Sequence, residues 1–298
     1  MSVMRILCGL VLIIYFTSSS AWAQTPTTAG SLHSCDYAEG ESAPVRGNVP
    51  FPDGDLFRPI LADPKEPRVS FQFLRFRPDG GDTMNIGAIS AGGVVGVWAR
   101  RALNTCDGLQ VSLIGGVFTH FNLDTYSNDL INSDFLIGAQ AATRGTGISG
   151  RLRVLHQSSH LGEDRQFVTT ELSNFGYQAI DGLVSIDRPW WRAYGGAGYL
   201  FFMHDGSQSA MLQAGAELRS EVRAKGVTRP VAGVNISALQ ARAWGVSTNV
   251  LVGFEWTSPA ASRRIRGSVL YGDGYTSFGQ FALQQKSRTF GLQLQIEF

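Results

Sequence analysis

Downstream of residue 68 the chain is built from short amphipathic runs with a period of two. The last is the clearest: Phe290, Leu292, Leu294, Ile296 and Phe298 alternate with Gly291, Gln293, Gln295 and Glu297, and the sequence stops on the aromatic. Successive side chains of a strand point to opposite faces, so such a run predicts a strand with one apolar and one polar side. Comparable runs cover 69–77, 84–101, 109–121, 130–143, 148–158, 166–179, 190–203, 209–222, 229–237, 245–257, 263–271 and 289–298. Turn residues separate them, among them Asp79-Gly80-Gly81, Arg144-Gly145-Thr146, Asp205-Gly206, Ser258-Pro259 and Asp273-Gly274. No stretch sustains a 3.6-residue apolar period with caps. The pattern predicts an all-β protein.

The N-terminal part has a different texture. Arg5 precedes the apolar run 6–16, then Ser18, Ser19 and Ser20, then Ala21-Trp22-Ala23 before Gln24, which predicts a signal peptide over 1–23. From 24 to 68, Pro44, Pro50, Pro52, Pro59, Pro64 and Pro67 block a ladder or long helix. This predicts an irregular periplasmic arm, with disorder up to about residue 49 as the alternative. Residues 69–298 then hold all the strands. With no apolar run of eighteen after the leader, a helical membrane protein is excluded, but a transmembrane barrel is not, because its lipid and lumen faces alternate and average out. A transmembrane antiparallel β-barrel of about twelve strands is expected, a periplasmic β-sandwich being the competitor. The terminal strand favours the barrel: it is similar to the closing signature of bacterial outer-membrane proteins, which resembles an address for the barrel-insertion machinery. The expected location is the bacterial outer membrane, with its lipid or lipopolysaccharide as partner.

Composition changes this picture little. The 298 residues include 35 glycines and 18 phenylalanines with only 16% charged residues, an unusual mixture for a soluble enzyme. A net charge of +1 gives no argument for nucleic acid. Lysine occurs only at 65, 225 and 286, and arginine is the better bidentate partner of phosphate, which suits a lipopolysaccharide-facing surface. Cys8 lies in the leader; Cys35 and Cys106 are expected to form a disulfide, two free thiols being the alternative.

Alternation also places the chemistry. If both termini are periplasmic, strand 148–158 runs outward with Arg151, Arg153, Leu155 and Gln157 on one face and Leu152, Val154, His156 and Ser158 on the other. An arginine at the lipid midplane costs about 2–4 kcal/mol, so the arginine face is the lumen and His156 and Ser158 lie on the outer wall. A tight hairpin at Glu163-Asp164 brings Glu171 opposite His156 and Thr169 opposite Ser158. Ser158 as nucleophile, His156 as general base and Glu171 as orienting carboxylate are the arrangement that acyl transfer requires, with His160 and Asp164 as flanking binding residues. The substrate would be lipid A or phospholipid. The other reading is a non-enzymatic barrel, a narrow pore or a structural or adhesive envelope protein, in which these residues line a polar rim.

His156-x-Ser158, followed by Ser159 and Gly162, resembles the His-x-Ser-Asn pattern of lipid A 3-O-deacylases and outer-membrane phospholipase A. Ser159 stands where those families carry Asn, and their third residue falls at Thr170, one before Glu171. A broader resemblance rests on the motif from Leu56-Phe57-Arg58-Pro59 to Pro67-Arg68, on Phe121-Asn122-Leu123-Asp124, on Asp129-Leu130-Ile131-Asn132-Ser133-Asp134, on His156 to Gly162 and on Gly279-Gln280-Phe281. Together these are similar to the bacterial outer-membrane family named domain of unknown function 1207, which implies an outer-membrane protein without an assigned activity. No cofactor is expected. Asp124, Asp129 and Asp134 with Asn122, Asn128 and Asn132 could supply oxygens to Ca²⁺, but the spacing is not that of an EF-hand, and Asx turns in a solvated loop account for them. His156 and His160 lack further ligands for zinc. Glu217, Arg219, Glu221 and Arg223 predict a charge network in the lumen.

Overall fold

The computed structural model describes residues 47–52, 54–101, 107–145, 147–164, 175–202, 206–219, 228–257 and 263–297. The short strand β1 (Gly47–Pro50) precedes twelve long ones: β2 (Val69–Pro78), β3 (Met84–Arg101), β4 (Gly108–Asn122), β5 (Leu130–Gly145), β6 (Ile148–Leu161), β7 (Phe175–Asp187), β8 (Trp191–Phe202), β9 (Gln208–Leu218), β10 (Thr228–Leu239), β11 (Val246–Thr257), β12 (Arg264–Tyr275) and β13 (Lys286–Glu297). Each pairs antiparallel with the next, and β13 closes on β2 from Ile296↔Val69 to Ser287↔Pro78. Closure gives each long strand a neighbour on both sides, the condition for strands to cross a bilayer. β3 outruns β2, which covers it only from Met84 to Ser90; β1 takes the vacant edge from Gly47↔Arg101 to Pro50↔Trp98.

The faces are the inverse of a soluble protein. Ile137, Phe254 and Val184 are 67%, 62% and 60% exposed on the outside, while Gln140, Arg151, Asp181, Glu217 and Gln295 are buried inside. An apolar outer band around a polar interior is the transmembrane barrel arrangement. Trp190, Trp191 and Trp256 sit at the end where β2 begins and β13 finishes, called the near end below, and Trp244 sits at the far end, where an amphipathic ring suits a lipid headgroup level.

Two expectations change. The strand expected over 166–179 is β7, Phe175–Asp187, and the near-end turn that follows it falls at Arg188–Trp190. Asp181 and Asp187, which fall between the strands expected over 166–179 and 190–203, are inward-facing strand positions, bonded to Arg153 and Arg58. The second change concerns the arm. Residues 56–68 do not lie outside the barrel; they run through it, with Phe57 and Ile60 at 0% exposure. Leu56, Phe57, Ile60 and Leu61 take their apolar contacts from Ala142, Leu183, Tyr194, Val231 and Leu251 on the inner wall.

Candidate functional site

On the outer wall β6 alternates as its sequence predicts: Arg151, Arg153, Gln157 and Ser159 are buried inward, and Leu152 and Val154 are exposed outward. His156 and Ser158 share the outward face, about 6.6 Å apart along the strand. No hydrogen bond joins them among the described residues. The register sets Ile137 and Gln178 on either side of His156, and Phe135 and Gly176 on either side of Ser158. Gln178, not Glu171, therefore stands across from His156, because β7 begins later than the tight hairpin required. Glu171, Cys35, Cys106 and the leader lie outside the described residues. His160 is exposed, its ring set edge-on to that of Phe135 with centroids 5.7 Å apart. Asp164 is buried where the chain leaves β6, its N–H donating to Leu130 O at 3.0 Å.

The denser chemistry is in the lumen. Arg192 donates to both oxygens of Glu217, at 2.9 and 3.0 Å, and to the carbonyls of Arg58 and Pro59 at 2.8 and 2.9 Å. Glu217 in turn accepts the Leu61 N–H at 2.6 Å. Arg58 reaches Asp187 at 3.2 Å, and Arg151 grips Glu66 through two N–H groups at 2.7 and 3.0 Å. Within the segment Arg68 donates to the carbonyls of Ile60, Leu61, Asp63 and Glu66, at 2.7, 2.8, 2.6 and 3.1 Å, fixing a compact turn. Lys65 projects beyond this turn to Asp134. Residues 55–68 thus form a plug seated on side chains of β5 through β9.

A second obstruction comes from the far end. The β12–β13 connection does not project outward as a loop; Phe278, Gly279, Gln280 and Phe281 are buried inside. Phe278 stacks on Phe76 with centroids 5.0 Å apart and lies 4.0 Å from the His120 ring. Gly279 N–H donates to Asp134 at 3.0 Å, and the Gln280 amide donates to Ser159 O at 2.7 Å. Asp134, fully buried, therefore receives both Lys65 of the plug and Gly279 of the in-folded loop. The oxygen-rich loop residues are engaged apart from one another: Asp124 is bonded to Asn85, Asp129 to Ser127, and Asp134 points into the lumen. Between plug and loop a cavity of about 180 Å³ remains.

Ionisation follows from burial and partners. Burial pushes Glu66 up, but Arg151 and then Arg153 outweigh it and hold the carboxyl at about 2. Burial also raises Asp55, and here it wins over the Gln140 and Phe57 hydrogen bonds, leaving the carboxyl at about 6. Arg242, in the turn Gln240–Arg242 at the far end, is lowered by burial to about 10. Of the charges anticipated in the lumen, Glu217 and Arg219 are there and buried. The plug itself was missed, although four large apolar residues in a supposedly periplasmic arm, Leu56, Phe57, Ile60 and Leu61, were its signal.

The model of the family described as "Protein of unknown function (DUF1207)" matches residues 16–298. Among curated proteins none matches. Among solved structures the chain is similar to the KdgM porin, at 11% identity and a TM-score of 0.38, with 76% of this chain and 98% of that one covered. It is similar to the beta domain of the Bordetella autotransporter BrkA, at 12% identity and a TM-score of 0.41, with 77% and 98% covered. For outer-membrane expressed OmpT of Vibrio cholerae the figures are 11% identity, a TM-score of 0.36 and 80% and 99% covered.

Proposed function

Because the chain belongs to the DUF1207 family, whose description assigns no activity, we propose its function from geometry: a non-enzymatic barrel of the bacterial outer membrane that is closed by its own chain. The observation that carries this reading is the plug, held by the buried ion pairs of Arg58 with Asp187 on β7 and of Glu66 with Arg151 on β6, by the Leu61 N–H donated to Glu217 on β9, and met by the loop at Asp134. The apolar outer band supports residence in the outer membrane, with lipid or lipopolysaccharide as its surroundings and the amphipathic β13 as the element offered to the insertion machinery. The lumen, occupied by the plug from one side and the in-folded loop from the other, does not pass small solutes. Planar-bilayer recording tests this: the wild type stays silent, while a variant with residues 54–66 replaced by a Gly/Ser linker and Gly279→Leu opens steps. Regular conductance steps from the wild type refute the closed lumen.

A second reading is favoured by one observation, that His156 and Ser158 share the lipid-facing side of β6. In that reading Ser158, with His156 as base and Glu171 as orienting group, cleaves an acyl chain from lipid A or phospholipid at outer-leaflet level, where the exposed His160 flanks the lipid. Mass spectrometry of lipid A and phospholipids from cells carrying wild type, Ser158→Ala or a deletion tests it. Identical spectra in all three remove the enzyme and leave the closed barrel.

A further inference from the structure

The cavity between plug and loop has an apolar wall that the plug does not cover. Leu136, Leu155, Leu200, Phe202 and Leu239 form one continuous apolar wall on the inner face of the barrel, joined from the in-folded loop by Leu283. The plug buries its own apolar side chains elsewhere, against Ala142, Leu183, Tyr194, Val231 and Leu251, so this wall is left facing the void. Polar side chains, among them Gln157, Gln213, Asn235 and Asn249, complete the lining, so the void presents an apolar wall beside a polar one.

The cations around the same cavity are unequal. Lys65 is engaged by Asp134, and Arg153 by Asp181 and Glu66. Arg242 has no acidic partner among the described residues; its guanidinium lies over the Tyr275 ring at 4.8 Å, and its Nε is buried without a hydrogen bond. One unmatched guanidinium beside one apolar wall is complementary to a monoanion with an apolar body, whereas a phosphate dianion would require a second uncommitted cation. Size narrows the class. A cavity of about 150 Å³ lined by Leu, Ile and Phe takes up benzene, and this one, at about 180 Å³, is slightly larger.

We propose that the cavity binds a small monocarboxylate with an apolar body of about eight carbons, its carboxylate on Arg242 and its body against Leu155, Leu200 and Phe202. The proposal rests on the closed-lumen reading, since a water-filled channel would solvate both the wall and the guanidinium. Calorimetric titration of the full chain in lipid nanodiscs, corrected with empty discs, tests it with phenylacetate and its uncharged analogue 2-phenylethanol. Phenylacetate binds saturably, one per chain. Arg242→Gln weakens it by about tenfold or more while leaving 2-phenylethanol unchanged. Leu200→Trp, which fills the void, abolishes both, with the folded state of each variant verified by its resistance to unfolding in cold detergent. Absence of saturable phenylacetate binding to the wild type, or binding to Arg242→Gln at wild-type strength, overturns the site. Bilayer recording on the same preparation separates the two failures: a silent lumen without uptake removes only the ligand, and a conducting wild type removes the closure beneath it.

Discussion

Arg68 is the residue around which the plug folds. Its guanidinium takes the carbonyls of Ile60, Leu61 and Asp63 in a fan that a planar fork can serve and an ammonium cannot. Arg68→Lys keeps the charge and still loses the turn: hydrogen exchange of the 57–66 amides should quicken by about tenfold or more, with strand amides unchanged. Two neighbours give the plug opposite pH responses. Glu66, lowered from 4.5 to about 2, contributes stability that is present above 4.5 and lost as pH falls toward 2. Asp55, raised from 3.8 to about 6, contributes stability that is full below 3.8 and lost as pH rises through 6. Of these two carboxyls only Asp55 changes state between about pH 8 and about pH 5, so protection near residue 55, taken relative to the intrinsic amide exchange rate at each pH, should rise on acidification, and Asp55→Asn should flatten that response. A response unchanged by Asp55→Asn would assign the titration elsewhere. At this scale the sequence told which way a side chain points but not what it meets. Parity along β6 put His156 and Ser158 outside, yet their cross-strand partners depend on the length of the β6–β7 connection, and Gln178 stands where Glu171 was expected.

Among the elements, strands were legible and the parts inside the barrel were not, for one reason. A strand between lipid and lumen must alternate, so β13 announces itself through Phe290, Leu292 and Leu294 against Gly291, Gln293 and Gln295. The plug and the β12–β13 loop are surrounded by side chains on all sides, so no period is imposed on them; Phe57, Ile60, Phe278 and Phe281 are buried without any pattern to say so. The loop's position hangs on Gly279, where a Cβ would collide with Ser159 Oγ and Asp134 Oδ1. Both atoms belong to short, buried side chains that cannot retreat. Gly279→Ala should therefore displace the loop, unstack Phe278 from Phe76 and open 276–285 to a protease added from outside, at a cost of about 1–3 kcal/mol. Continued protease resistance in folded Gly279→Ala would mean that the loop is held by Phe278 and Phe281 alone.

For the whole molecule, the plug and the barrel wall are linked by charges whose energetics depend on whether the lumen is dry. With the plug in place, Glu217 is buried and satisfied by Arg192 and Leu61 N–H; removing Arg192 alone leaves a carboxylate in a site without water. Breaking such a pair costs about 3–5 kcal/mol. With the plug deleted the lumen fills with water, and the same pair becomes a solvated ion pair worth about 0–1 kcal/mol. The strand ladder does not pass through the plug, since β2 to β13 close on each other directly. The barrel should thus survive loss of residues 54–66, and Arg192→Ala should destabilise the full chain by several kcal/mol while barely affecting the plug-deleted one. Urea unfolding of the four proteins in lipid vesicles forms the thermodynamic cycle that measures the coupling. An equal effect of Arg192→Ala in both backgrounds would show that Arg192 braces β8 against β9 on its own, and the plug would then be a passenger in the barrel and not a part of its closure.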